Sequence, residues 1–175
     1  PSKLSGTITA IPSKSQAHRL LICSAFSDQT TQLLCPETNE DIEATADCLN
    51  AIGANIVRTQ NGYIVTPITS IPKAAHLDCR ESGSTFRFFI PIALALYNCV
   101  EFTGKGRLME RPQKPYFDIF DKLGVTYKTN KNRLTIEGSL KSGDYEIDGS
   151  VSSQFVTGLL FALPLLEGDS RILIK

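Results

Sequence analysis

The sequence predicts an α/β protein assembled from repeated α/β units, with buried helices and covering sheets. Three observations carry that reading. The segments SKSQAHRLLICSAF, SGSTFRFFIPIALAL and SVSSQFVTGLLFALPLL begin at Ser13, Ser82 and Ser150 and match one another at a spacing of about seventy residues, the period of a supersecondary unit. The first two are followed by similar continuations, DIEATADCLNAIGANIV with GYIVTP, and PYFDIFDKLGVTYK with RLTIEG. The runs RFFIPIALAL and QFVTGLLFALPLL are apolar nearly all round, as in helices that are enclosed.

Each element has a local reason. A serine-rich turn at Ser13 opens the first helix, and a short strand follows. In DIEATADCLNAIG the apolar Ile42, Ala46, Leu49 and Ile52 recur at helical spacing. Asp41 is expected to cap that helix and Gly53 to end it in the left-handed conformation. Asn55 to Arg58 and Tyr63 to Thr66 read as strands joined through Asn61-Gly62. The second unit repeats the order, its second helix stopping at Gly124 and its hairpin turning within Thr129 to Asn132. Pro91 and Pro164 each remove a helical hydrogen bond and are expected to kink or end their helices. The third unit starts in the same way and breaks off after GDSRILIK, so by its own repeat the chain is expected to be part of a longer protein. The lack of an initiator Met points the same way.

Composition excludes several classes. With 42% hydrophobic and 21% charged residues and no apolar run near transmembrane length, the chain reads as a soluble globular protein without a membrane partner. Formal net charge is zero, so nothing draws it as a whole to nucleic acid, and few aromatic residues accompany the basic ones. Five cysteines at 23, 35, 48, 79 and 99, with no CxxC pair, read as reduced thiols, mostly packed as small hydrophobes. His18 and His76 lack ligand spacing, so no metal is expected. The opening PSKLSG has no charged-then-apolar leader, which favours the cytoplasm.

The chemistry lies at the starts of the three leading helices. Up to four backbone N–H groups lack partners at such a start, and phosphates and carboxylates bind there. Lys14 and Arg19 attend the first, Arg80 and Arg87 the second, and Ser152, Ser153 and Gln154 give the third a neutral hydrogen-bonding set. The loop GKGRLMERPQKP adds Lys105, Arg107, Arg111 and Lys114, and an Arg fixed before Pro112 can hold an anion bidentately. Gx4GK[ST], GxSxG and GxGxxG motifs are absent, so nucleotide, hydrolase and dinucleotide chemistry lack their parts, and no nucleophile or acid/base pair is evident. The residues describe a site for a small ligand bearing phosphate and carboxylate groups, with no cofactor.

The motifs PSKSQAHRLLICSA, ESGSTFRFFIPIALAL, GKGRLMERPQKPYFDIFDKLG and DGSVSSQFVTGLLFALPLL together resemble the 5-enolpyruvylshikimate-3-phosphate synthase family. The resemblance implies one lobe of a two-lobed enolpyruvyl transferase fold, with residues 1–11 as a crossing strand from the other lobe and hinge. Residues 12–175 are then the substrate-binding lobe, two complete units and a truncated third. It implies transfer of the enolpyruvyl group of phosphoenolpyruvate to the 5-hydroxyl of shikimate 3-phosphate, as in aromatic amino acid biosynthesis. Lys14, Ser15, Arg19, Ser152, Ser153 and Gln154 would hold shikimate 3-phosphate, and Lys14, Gly83, Arg111 and Gln154 phosphoenolpyruvate. The acid and base residues would lie in the other lobe, so this chain alone would bind substrate weakly without turnover. Gly83 makes glyphosate a plausible competitor, and the parent enzyme is expected to be a monomer. One departure stands out: Glu81 replaces the family's usual Asn beside an anion subsite, with Arg80 or Arg87 available to offset it. The alternatives are a relative acting on UDP-N-acetylglucosamine and a non-catalytic anion-binding module.

Overall fold

The computed structural model describes the whole chain except residues 1, 2, 4, 9 and 10. The strand expected over residues 1–11 depends on those positions and lies outside the described residues. Unit one runs α1 (Lys14–Ala25), β1 (Thr31–Leu34), α2 (Glu40–Ala51), β2 (Asn55–Thr59) and β3 (Gly62–Thr66). Unit two is entered by β4 (His76–Asp78) and runs α3 (Gly83–Leu96), β5 (Cys99–Thr103), α4 (Lys114–Leu123), β6 (Thr126–Asn130) and β7 (Arg133–Glu137). Then come β8 (Asp144–Ile147), α5 (Ser153–Ala162) and β9 (Arg171–Ile174).

Each unit has its own sheet. The first has the order β1-β3-β2, antiparallel throughout, with Thr31 opposite Val65 and Asn55 opposite Thr66. In the second, order β4-β5-β7-β6, β4 runs parallel to β5 and the other pairs are antiparallel. β8 and β9 form a parallel pair. The hairpins and helix stops follow local chemistry: Gly53 and Gly124 take φ of 110° and 70°, conformations that favour glycine. The cap of α2 differs from expectation. Asn39, not Asp41, caps it, its Oδ1 accepting from the Asp41 and Ile42 N–H groups at 3.1 Å, which leaves the Asp41 carboxylate free for another partner.

The core centres on α3, whose Phe86, Phe88, Phe89, Ile90, Ile92 and Leu94 are all buried. Its closest helical neighbour is α5. Pro91 neither ends nor breaks α3, which is continuous from Gly83 to Leu96. The carbonyl it deprives of a donor, that of Arg87, accepts instead from the Tyr116 hydroxyl at 2.8 Å. Pro164 does stop its helix: α5 ends at Ala162 and a short 3-10 turn follows. Enclosure was expected for α5 as well and is incomplete, because Leu160 on it is 59% exposed. Val156 and Leu160 on α5, and Leu163 in the turn that follows it, line a hollow of about 560 Å³ with Ile172 and Ile174. The five cysteines are free thiols, with Cys35, Cys48 and Cys79 buried and Cys23 and Cys99 exposed. Among the described residues no helix is long and apolar enough to cross a membrane.

Candidate functional site

Ser13, Ser82 and Ser152 are the N-caps of α1, α3 and α5, and each hydroxyl accepts a backbone N–H from the first turn. None of these three first turns carries an acidic residue, so the positive ends of the helices are not neutralised locally.

At the first start, Lys14 Nζ donates to Asp41 Oδ2 at 2.6 Å, and Ser15 is exposed. Arg19 donates from Nη1 to the Ser15 carbonyl at 2.8 Å and from Nη2 to Thr157 Oγ1 on α5 at 3.4 Å, with its guanidinium over the Phe88 ring. The Thr157 hydroxyl in turn donates to the Ser153 carbonyl at 3.0 Å. Arg19 thus ties the first helix start to the third.

At the second start, the guanidinium of Arg111 occupies the space a side chain at Gly83 would need. The absence of a side chain at Gly83 lets the cation lie directly on the backbone, and a larger residue there would displace it. Arg111 also borders a hollow of about 320 Å³ with Arg107, Glu110 and Pro112. From the same loop, Arg107 pairs with Glu110 at 2.8 Å and Lys114 with Asp118 at 2.6 Å. Of the loop's four cations two are thus locally paired, Arg111 reaches α3, and Lys105 has no carboxylate within ion-pair distance among the described residues. The third start joins the second through Gln154, which accepts from Arg87 Nη1 and donates to Ser84 Oγ, both at 2.8 Å.

Among the described residues Arg19, Arg58, Arg87 and Arg111 have no carboxylate within ion-pair distance, Arg58 being taken up by the Cys35, Pro36 and Gly62 carbonyls, whereas Arg80, Arg107, Arg133 and Arg171 all have one. Arg87 is pulled below its usual basicity, first by burial and then by the Arg111 charge. Two guanidinium groups that repel one another with no carboxylate between them leave a local positive potential at this helix start. Neither Arg80 nor Arg87 offsets Glu81: Arg80 pairs with Glu40 and Asp47, and Arg87 holds Gln154. The Glu81 carboxylate instead lies against Gly106, whose φ of 57° leaves it room in the arginine loop.

Behind these contacts runs a buried polar chain. His18 Nδ1 meets Thr45 Oγ1 at 2.7 Å, Thr45 meets Thr85 at 2.7 Å, and Thr85 donates to Ser82 Oγ at 2.7 Å. All four residues are fully buried, and the chain fixes α1 and α2 against the start of α3. Burial holds the His18 imidazole down at about 4, with Lys14 and Arg19 acting in the same direction and Asp41 against it.

Arg19, Ser153, Gln154, Gly83 and Arg111 are therefore linked through α5 and α3, and Lys14 and Ser15 join by way of α1. Among the described residues no hydrogen bond joins Lys14 to Gln154, and the Ser152 hydroxyl accepts from the Gln154 N–H of its own helix. Sequence reasoning missed Ser84, Thr157 and the Asp41 carboxylate. Only the i, i+4 spacing of Ser153 and Thr157, and the acidic start of α2 opposite Lys14, offered a signal.

Fold and site define an α/β protein of repeated units that gathers cations at helix starts, of which Arg19, Arg87 and Arg111 lack a carboxylate partner among the described residues while Lys14 and Arg80 have one. The sequence model of EPSP synthase (3-phosphoshikimate 1-carboxyvinyltransferase) matches residues 1–175, and the chain belongs to that family. It is 47% identical to the 3-phosphoshikimate 1-carboxyvinyltransferase of Clostridium kluyveri, over 98% of this chain and 41% of that protein. The protein of the same name from Clostridium perfringens is 43% identical over 99% of this chain and 42% of its own length. The chain thus spans about two fifths of the curated relatives it matches. A solved EPSP synthase from Acinetobacter baumannii superposes with a TM-score of 0.75 at 23% identity, covering 95% of this chain and 40% of that one, and so shares the fold. These relatives carry the shikimate name and not that of the sugar-nucleotide enzyme.

Proposed function

We propose that this chain supplies the anion-holding part of an enzyme that transfers the enolpyruvyl group of phosphoenolpyruvate to the 5-hydroxyl of shikimate 3-phosphate. In this reading Ser15, Arg19, Ser152 and Ser153 hold shikimate 3-phosphate, Gly83 and Arg111 hold phosphoenolpyruvate, and Lys14 and Gln154 serve both. The observation that carries it is the Arg111 guanidinium lying against Gly83 at the start of α3 without a carboxylate partner. A helix start and an adjacent Arg together favour a phosphate far more than either alone.

In the transfer, the hydroxyl gives up its proton to a base as its oxygen bonds to C2 of phosphoenolpyruvate and C3 takes a proton from an acid. The resulting adduct then loses phosphate and a proton from C3 to restore the double bond. This chain's residues bind, orient and stabilise charge, and the proton-transfer groups come from the remainder of the enzyme. Residues 12–175 act as the substrate-binding lobe of a cytoplasmic, monomeric enzyme, and glyphosate competes at the Gly83 and Arg111 subsite, a reading supported by the lack of any side chain at Gly83. Isothermal titration of the chain with shikimate 3-phosphate, followed by phosphoenolpyruvate, tests the reading. Weak saturable heat for the first ligand and tighter binding of the second in its presence are expected. No heat from either at millimolar concentration, with the chain folded, overturns it.

A further inference from the structure

Gln154 is held at both ends of its amide by one neighbouring helix. Arg87 Nη1 donates to its Oε1 and its Nε2 donates to Ser84 Oγ, each at 2.8 Å, and Ser84 and Arg87 both lie on α3. The two ends of an amide have nearly the same shape, so only the partners decide which way it faces. A guanidinium has donors alone, and therefore the oxygen must meet Arg87 and the nitrogen must meet Ser84. Arg87 is itself well fixed, with its guanidinium 4.7 Å from the centre of the Phe155 ring. One Nε2–H is used by Ser84, and the second is unclaimed.

We propose that Arg87 and Ser84 are positioning residues that lock the Gln154 amide with its nitrogen toward the start of α3, so that its second N–H is presented to an anion there. The flipped amide, with Oε1 facing the anion and NH₂ facing the guanidinium, is excluded because it would set acceptor against acceptor and donor against donor. The effect on ligand affinity rests on the reading of Gln154 as an anion ligand; the amide lock itself does not.

The test has two independent arms on this chain. Without ligand, hydrogen exchange of the Gln154 side-chain NH₂ is compared in the wild type, Arg87→Met and Arg87→Lys. Slow exchange in the wild type, faster in Arg87→Met and partly slowed again in Arg87→Lys, is expected; equal exchange in all three overturns the lock. With shikimate 3-phosphate present, phosphoenolpyruvate affinity is measured for Arg87→Met, Gln154→Leu and the double variant. Each single change is expected to weaken binding about tenfold, the order of one charge-assisted hydrogen bond, with the double variant no weaker than Gln154→Leu. Losses that multiply make Arg87 an independent charge and overturn its role through Gln154. If Arg87→Met does not fold, Arg87→Lys and Ser84→Ala carry both arms. A wild type that binds neither substrate refutes the functional reading, while the exchange arm still decides the lock.

Discussion

The Tyr116 hydroxyl donates to the Arg87 carbonyl at 2.8 Å, replacing the helical donor that Pro91 cannot supply, and shares that proton with the Phe155 carbonyl at 3.0 Å. A proline is thereby accommodated in the middle of the most buried helix, four residues after an arginine whose side chain faces the candidate site. Tyr116→Phe leaves that carbonyl buried without a donor and is expected to cost about 1–3 kcal/mol in urea unfolding. In a Pro91→Ala background, where residue 91 regains its N–H, the same change should cost markedly less. Equal losses in both backgrounds would refute the compensation.

Gly158 sits where α3 and α5 come closest. A methyl group there would stand 2.7 Å from the Arg87 carbonyl oxygen and 3.0 Å from Pro91, and would also meet the Tyr116 hydroxyl. Gly158→Ala is expected to lower stability by about 1–3 kcal/mol, the usual range for overpacking, despite its better helix propensity. Thermal unfolding measures it.

His18 makes stability depend on pH. Its pKa falls from 6.5 to about 4 on folding because burial disfavours the imidazolium. Above pH 6.5 both states are neutral and the group contributes nothing. As pH drops from 6.5 to 4 the unfolded chain takes up the proton first, so the folded state loses ground by about 3 kcal/mol, from 1.36 kcal/mol for each pH unit. His18→Asn should remove this portion of the acid sensitivity. The measurement is the difference between the two stability profiles across that window, in which the carboxylates common to both cancel.

If Lys14 holds shikimate 3-phosphate as proposed, Asp41 competes with the ligand for it. The pair is partly exposed, 48% at Lys14 and 28% at Asp41, and so is weak. Asp41→Asn is expected to strengthen shikimate 3-phosphate binding by about two- to five-fold, the equivalent of an exposed ion pair. Weaker binding would mean that Asp41 orients Lys14 for the ligand instead of withholding it.

Gly83→Ala drives the new methyl into the Arg111 guanidinium. Phosphoenolpyruvate affinity is expected to fall about tenfold or more as the cation moves off the helix start, with shikimate 3-phosphate affinity nearly unchanged. Separate titrations of the two ligands distinguish this from general misfolding.

Much of this architecture was legible in the chain. The three serine-led apolar runs and the left-handed glycines are strong local signals and formed where their chemistry required, whereas the first hairpin turns one residue early, at Gln60-Asn61, with Gly62 already in β3 opposite Thr59. β4 was not legible, because His76–Asp78 is too short to show a period and exists through parallel pairing with β5. Asn39 and Asp41 are both capable caps two residues apart, and only the backbone geometry selects Asn39. The open face of α5 is invisible to composition, since enclosure depends on what packs against a helix and not on the helix alone. Arg87 was noticed as a charge near the second helix start, but its grip on Gln154 bridges 67 positions and needed the α3 and α5 contact to appear.

The central claim is that three helix starts share one anion site. Recording backbone amide shifts as shikimate 3-phosphate and then phosphoenolpyruvate are added tests it most directly. The account predicts saturable shifts for Ser15, Arg19, Ser153 and Gln154 with the first ligand, and for Gly83, Ser84 and Arg111 with the second, sharing the affinity of that ligand. Shifts scattered over unrelated surfaces, or none at saturating ligand in a folded chain, would contradict it.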